Sequence, residues 1–153
     1  MTQAFSVDEL VPHSGSMSLL DTIDGYGDDW LEASALITTD NLFLRDDAVP
    51  AWVGIEYMAQ TVAAFGGVSS RQAGDEVKIG FLLGTRRFET DTTAFKLGTR
   101  LTMRASHIMT SDSGLGSFDC TLTAIQDGET ISARAKLSVY QPDNIQDILK
   151  DSL

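Results

Sequence analysis

Between Pro50 and Ala64 the only charged side chain is Glu56, and this run constrains the fold more than any other part of the chain. A helix this apolar must be covered over most of its circumference. A carboxyl placed within it needs a reason to be there, because an uncompensated buried charge is costly. Pro50 suits a first helical turn, and the backbone N–H groups just after it lack intrahelical partners, so they are available to an oxygen on a ligand. Gly66 and Gly67 supply the stop. Ile55, Ala59, Val62, Ala63 and Gly66 follow the spacing of one buried stripe. Glu56, Gln60, Ala63 and Gly67 trace a neighbouring stripe of small or polar side chains, suited to lining a narrow slot. A plainer reading stays open, in which Glu56 is a first-turn acid favoured by the helix dipole.

The rest of the chain reads as extended. A short N-terminal segment capped by Ser6 or Asp8 precedes two alternating stretches, Met17 to Ile23 and Trp30 to Ile37, joined by a turn from Gly25 to Asp29. A loop from Asn41 to Val49 leads into a helix predicted from about Ala51 to Ser69. Four further strands are predicted at Lys78 to Thr90, Thr99 to Thr110, Ser117 to Ile125 and, after an Asp127-Gly128 turn, Thr130 to Tyr140. Pro142 closes the sheet, and Ile145 to Leu153 forms a short helix or frays. One helix cannot cover both faces of so long a sheet. The expected architecture is therefore α+β, a curved antiparallel sheet wrapped around one long central helix, with the remaining edge protected by a second copy. With 153 residues, 42% of them hydrophobic, the chain is sized for a single domain over 1–153.

A formal charge of −11 disfavours unaided binding to nucleic acid or to an anionic membrane. No run approaches the roughly 18 apolar residues of a membrane helix, and Met1 to Ser6 has neither the basic region nor the apolar core of a secretion signal. A cytoplasmic location is expected. Arg86, Arg87, Lys96, Arg100 and Arg104 gather five of the eleven basic side chains, suiting either an acidic partner or a solvated strand face. Cys120, the one cysteine, sits in an ordinary strand pattern and is read as structural. Neither His13 nor His107 has another ligand at a metal-binding spacing, Gly80 to Gly84 lacks the Lys-Ser or Lys-Thr of a phosphate loop, and no serine sits in a nucleophile motif. No metal is expected.

Two motifs and the order of elements resemble the hot-dog fold, in particular the 3-hydroxyacyl-[acyl-carrier-protein] dehydratases. Pro12-His13, followed by Met17, Leu19-Leu20 and Asp21, is similar to the family's N-terminal signature. Pro50 to Gln60, with Glu56-x-Met58-Ala59-Gln60 at its core, is similar to the start of its central helix, and Gly80 to Gly84 with Arg86-Arg87-Phe88 resembles the strand that follows. The resemblance covers nearly the whole chain and looks closest to the small dehydratase-like proteins of aryl-polyene and related fatty-acid-type pathways. One departure bears on chemistry. The better-known dehydratases carry a histidine base fourteen residues before the helix glutamate, and here that position is Leu42. The family's backbone-donor glycine falls on Ala51, which still supplies an N–H.

The resemblance implies dehydration of a 3-hydroxyacyl thioester on acyl carrier protein to the trans-2-enoyl thioester. The substrate would arrive on the carrier's phosphopantetheine, with no other cofactor. Such an elimination needs a base for the C2 proton, an acid for the hydroxyl and a donor to the thioester oxygen. His107 lies in a plain strand with no special neighbour, whereas His13 is followed by small residues that present a side chain at a pocket mouth. The reading is His13 as base, Glu56 as acid and the Ala51 N–H on the carbonyl, with Trp52, Gln60, Phe81 and Leu83 forming the pocket and Arg86 and Arg87 docking the carrier. To act as an acid near neutrality Glu56 must hold its proton, which burial favours and the helix N-terminus opposes. His13 as a structural residue tying the turn to the sheet stays open. So do two other functions: a thioesterase that uses the helix carboxylate and water, and a non-catalytic acyl-binding subunit. The partners expected are acyl carrier protein and a second hot-dog chain, identical or related.

Overall fold

The structure, a computed structural model, describes residues 4–10, 18–74 and 81–140. His13, most of the N-terminal motif, the Phe81 side chain and the segment from Ile145 to Leu153 lie outside the described residues. In chain order the elements are α1 (Val7–Leu10), β1 (Thr22–Tyr26), β2 (Trp30–Leu36), β3 (Ala48–Pro50), α2 (Gly54–Gln72), β4 (Phe81–Thr90), β5 (Ala94–Lys96), β6 (Arg100–Thr110), β7 (Leu115–Gln126) and β8 (Glu129–Tyr140). A 3-10 turn at Ala51–Val53 leads into α2. Six strands form one antiparallel sheet in the order β1-β2-β6-β7-β8-β4, and α2 packs against it through β6, β2 and β7. This is the hot-dog arrangement.

Alternation decides which sheet face receives the helix. Leu101, Met103 and Ala105 of β6, Phe118, Cys120, Leu122 and Ala124 of β7, and Ile131, Ala133, Ala135 and Leu137 of β8 are all buried, while their neighbours in sequence face outward. Cross-strand register gathers small side chains into one row: Ala105 pairs with Cys120, and Cys120 with Ala135. Small residues there leave room for α2.

The face that α2 buries corrects the sequence expectation. Gly54, Tyr57, Met58, Thr61, Ala64, Phe65 and Val68 form the buried stripe. Of the stripe expected to be buried, only Val62 is; Ile55, Ala59, Ala63 and Gly66 are half-buried. Burial follows area: the large side chains Tyr57, Met58 and Phe65 gain most from leaving water, so the small-residue face is the one left over. Gly67 is buried for a separate reason. A Cβ there would come within 2.4 Å of the Leu10 carbonyl oxygen, so its bare backbone lets α1 lie on α2. Ser6 starts α1, with its N–H and hydroxyl both donating to Glu9 Oε1 at 3.2 and 3.0 Å.

Several strand assignments also differ from expectation. The stretch from Ser18 to Asp21 is not strand: the Leu19 N–H donates to a side chain of α2 instead of a ladder, and β1 begins at Thr22 and runs into the expected turn. The short antiparallel pair β3-β5 has no counterpart in the sequence reading, because three residues per strand carry no period. Leading into β3, the Asn41 to Val49 loop is tied down by Asn41, which donates from Nδ2 to the Tyr57 hydroxyl at 2.8 Å and accepts the Phe43 N–H at 2.8 Å. The Asp127-Gly128 turn is as expected, with both residues at positive φ.

Candidate active site

The small-residue face of α2 is one wall of a groove of about 420 Å³. Glu56, Ala59, Val62, Ala63 and Gly66 supply this wall, and Leu82, His107, Gly116, Phe118 and Val139 supply the wall opposite. The groove exists because the sheet curls around α2 and meets its large-residue face first. What remains is a channel floored by side chains too small to close it.

Glu56 stands in the first turn of α2, half-buried. Its Oε1 accepts a hydrogen bond from Gln60 Nε2 at 3.2 Å, and Gln60 Oε1 in turn accepts the Leu19 N–H at 2.8 Å. Gln60 is therefore no pocket wall, as sequence reading had it: at 1% exposure it is a buried support for the carboxyl. Three other expectations are corrected or relocated, and the arginine pair is found on the surface. The Ala51 N–H donates to the Thr93 carbonyl at 3.0 Å, where β5 draws the 3-10 turn onto the sheet, so it is not available to a thioester oxygen. Trp52 is 61% exposed and meets Phe43 edge-on at 6.3 Å, outside the groove. Leu82, not Leu83, lines the groove; Leu83 is 59% exposed. Arg86 and Arg87 are exposed, and Arg87 sits at φ 54° in a bulge of β4. Arg86 pairs in register with Lys136, on the sheet face turned away from α2. There Arg134 is matched by Glu89 at 2.9 Å and Lys136 by Asp119 at 3.6 Å.

His107, set aside as the base in the sequence reading, is placed by the structure in the groove. Its ring stacks on Phe65 at 5.6 Å and lies 5.1 Å from Phe118, and Nε2 is 2.6 Å from the Thr110 hydroxyl. The signal was available: His107 is in phase with Leu101, Met103 and Ala105, so strand alternation turns it toward the helix. Glu56 and the Phe65 beneath His107 are nine residues apart on α2, about 13 Å along the axis. The groove thus has the Glu56 carboxyl at one end and an imidazole among aromatic rings at the other, with Asp28 as a second carboxyl in its lining.

Comparison with known proteins agrees with this architecture. The ApeP-like family, described as ApeP dehydratase, matches residues 5–150. A chain of the dehydratase heterocomplex ApeI:P from Xenorhabdus doucetiae superposes with a TM-score of 0.85 at 25% identity, covering 97% of each chain. A hypothetical thioesterase with coenzyme A from Streptococcus pneumoniae TIGR4 gives 0.59 at 13% identity, over 78% of this chain and 86% of that one. A Streptococcus mutans UA159 protein bound to acetyl-CoA gives 0.57 at 10% identity, over 78% and 86%. No curated protein matches. Among the described residues no helix is long and apolar enough to cross a membrane.

Proposed function

The chain belongs to the ApeP-like dehydratase family, and from that premise we propose that it removes water from a 3-hydroxyacyl thioester carried on acyl carrier protein. The observation that carries this reading is Glu56, a helix carboxyl bonded to a buried amide, in a groove whose walls are mostly apolar or small side chains. In the reaction a base takes the C2 proton, the C3–O bond breaks, and Glu56 gives its proton to the departing hydroxyl, which leaves as water. The carboxylate and the protonated base then exchange one proton to reset the site. The phosphopantetheine arm delivers the thioester, so the groove need accommodate only the acyl portion.

His107 does not serve as that base. The aromatic end lies too far along α2 for its imidazole and Glu56 to act on adjacent carbons. The base is His13, or an imidazole from a partner chain placed against the exposed Leu42. Two features support a second hot-dog chain: β4 is one of the sheet's two outer strands among the described residues, with Leu82 and Leu83 exposed on it, and the structural relative of highest score quoted above belongs to a heterocomplex. Carrier docking at Arg86 and Arg87 would place an acidic partner on one of the few basic patches of a chain with net charge −11.

Intact-mass analysis of a 3-hydroxyacyl carrier protein tests the reading. Loss of one water with the acyl group still attached is the expected result. Release of the free acid would favour thioester hydrolysis, which a helix carboxylate beside a groove also supports. Activity that appears only when a related dehydratase is added would assign the base to the partner. A His13→Ala chain with an unchanged rate would do the same.

A further inference from the structure

The groove carries an inference about which acyl chains it admits, one that rests on the dehydratase reading, with Glu56 at the reacting end, and goes beyond it. Its lining runs along α2 from Glu56 to Ser69, thirteen residues or about 20 Å of helix. Glu56, Ala59, Ala63 and Gly66 stand at positions i, i+3, i+7 and i+10, so they fall in one line along the helix and meet a bound chain in that order. Ala63 lies about 10 Å from Glu56 along the axis and Gly66 about 15 Å. We propose that Ala63 and Gly66 determine chain-length specificity: their lack of bulk holds open the distal part of the groove, which takes an unbranched acyl chain of roughly eleven to fifteen carbons.

The opposite wall has no slack to give. Thr110, Gly116, Val139 and Leu82 stand side by side across β6, β7, β8 and β4, paired in register, and all four line the groove. The ladder fixes this row. It is also filled to contact: a Cβ added at Gly116 would meet the Phe118 ring at 3.3 Å and Thr110 Oγ1 at 3.4 Å. The free space therefore lies on the helix side, where Ala59, Ala63 and Gly66 are half-buried while Tyr57, Met58 and Phe65 take up the packing. Glycine in a helix interior weakens the helix relative to alanine. The approach of α1 accounts for Gly67, whereas Gly66 faces the groove.

Chain length follows from geometry. An extended hydrocarbon chain zigzags, so it advances about 1.3 Å per carbon, less than the ~1.5 Å of each bond. With C3 at Glu56, Ala63 falls opposite about the eleventh carbon and Gly66 opposite about the fifteenth. Beyond Gly66 the groove opens, since Ser69 and Thr110 in its lining are exposed. A longer chain emerges into water there and gains no further burial. Leucine at Ala63 or Gly66 would project into a channel whose far wall cannot retreat, and would stop the chain short.

Ala59→Leu, Ala63→Leu and Gly66→Leu put the same obstacle at three distances from Glu56. The readouts are kcat/KM on 3-hydroxyacyl carrier protein bearing chains of six, ten, fourteen and eighteen carbons, and the calorimetric Kd of S-alkyl pantetheines of the same lengths, which needs no turnover. Ala59→Leu should discriminate against every chain longer than six carbons, Ala63→Leu against fourteen and eighteen, and Gly66→Leu against eighteen alone. Each penalty should be about 10- to 100-fold relative to the six-carbon chain in both readouts. Circular dichroism reports folding, and Ala63→Met carries the test should Ala63→Leu not fold. A penalty equal at all lengths, or a cut-off that stays put as the obstacle moves along α2, overturns the inference. A wild-type protein that dehydrates no chain while the Kd cut-off still moves sustains the length selection and defeats the dehydratase reading; dehydration with an unmoved cut-off does the reverse.

Discussion

The two ends of the groove hold their polar groups by opposite means. Glu56 is supported by a buried side chain that is itself pinned by distant backbone. His107 is held by ring stacking and by a hydroxyl three residues away at an exposed position. A hydrogen-bond chain reaching across the sequence fixes direction as well as position, because each member has only one workable orientation. Ring contacts fix a plane and tolerate sliding. Under the proposed function, one end suits a proton that travels along a set line and the other a surface that a substrate chain can settle against.

The largest expected effect comes from breaking the rigid end. Glu56→Gln removes the transferable proton while preserving shape, and should lower kcat roughly a hundredfold to ten-thousandfold. A smaller loss in a steady-state assay would place the acid elsewhere. Next is the compliant end: His107→Ala should raise KM about 2- to 10-fold for a long acyl substrate, the worth of one aromatic contact, and leave a short-chain substrate unaffected. A kcat effect equal for both substrates would show the two ends to be one site.

Alkaline stability sharpens the same contrast on the rigid side. Tyr57 follows Glu56 on α2 and anchors the loop bearing Leu42 through Asn41. Burial pushes its hydroxyl from 10.0 up to about 12, with Asn41 opposing and Asp21 adding. The folded state binds this proton more tightly, so the contribution is intact below pH 10 and is lost as pH rises toward about 12. Urea unfolding across that range should show a steeper decline for the wild type than for Tyr57→Phe. The smallest effect concerns Cys120, two residues from the Phe118 that backs His107. Burial, with Asp119 adding, raises its thiol to about 12, so a thiol reagent at neutral pH should label it only after unfolding. Rapid labelling of the native protein would show the imidazole end to open far more than the structure allows.

What the sequence disclosed tracks how local each determinant is. β6, β7 and β8 each carry their alternation within one run, so their limits and inward faces follow from the pattern alone. His107 was legible by the same rule, since Leu101, Met103 and Ala105 set its phase, although its immediate neighbours mark it only as plain strand. The central helix and its single carboxyl were equally plain. The helix face that packs was not, because neither stripe traced by spacing contained Tyr57, Met58 or Phe65, whose bulk carries the packing. The roles of Ala51 and Gln60 were beyond reach for another reason. Each depends on one hydrogen bond to backbone far away in the chain, Thr93 for the first and Leu19 for the second, and no spacing rule encodes such a meeting.

A crystal structure of the chain, with its hot-dog partner, crosslinked to acyl carrier protein bearing an uncleavable 3-hydroxyacyl mimic, tests the central claim most directly. The account predicts the C3 hydroxyl within hydrogen-bond distance of the Glu56 carboxyl, Gln60 still bonded to that carboxyl, and the acyl chain running toward Phe65 and His107. A hydroxyl seated at the His107 end, with Glu56 facing no reacting atom, would contradict it.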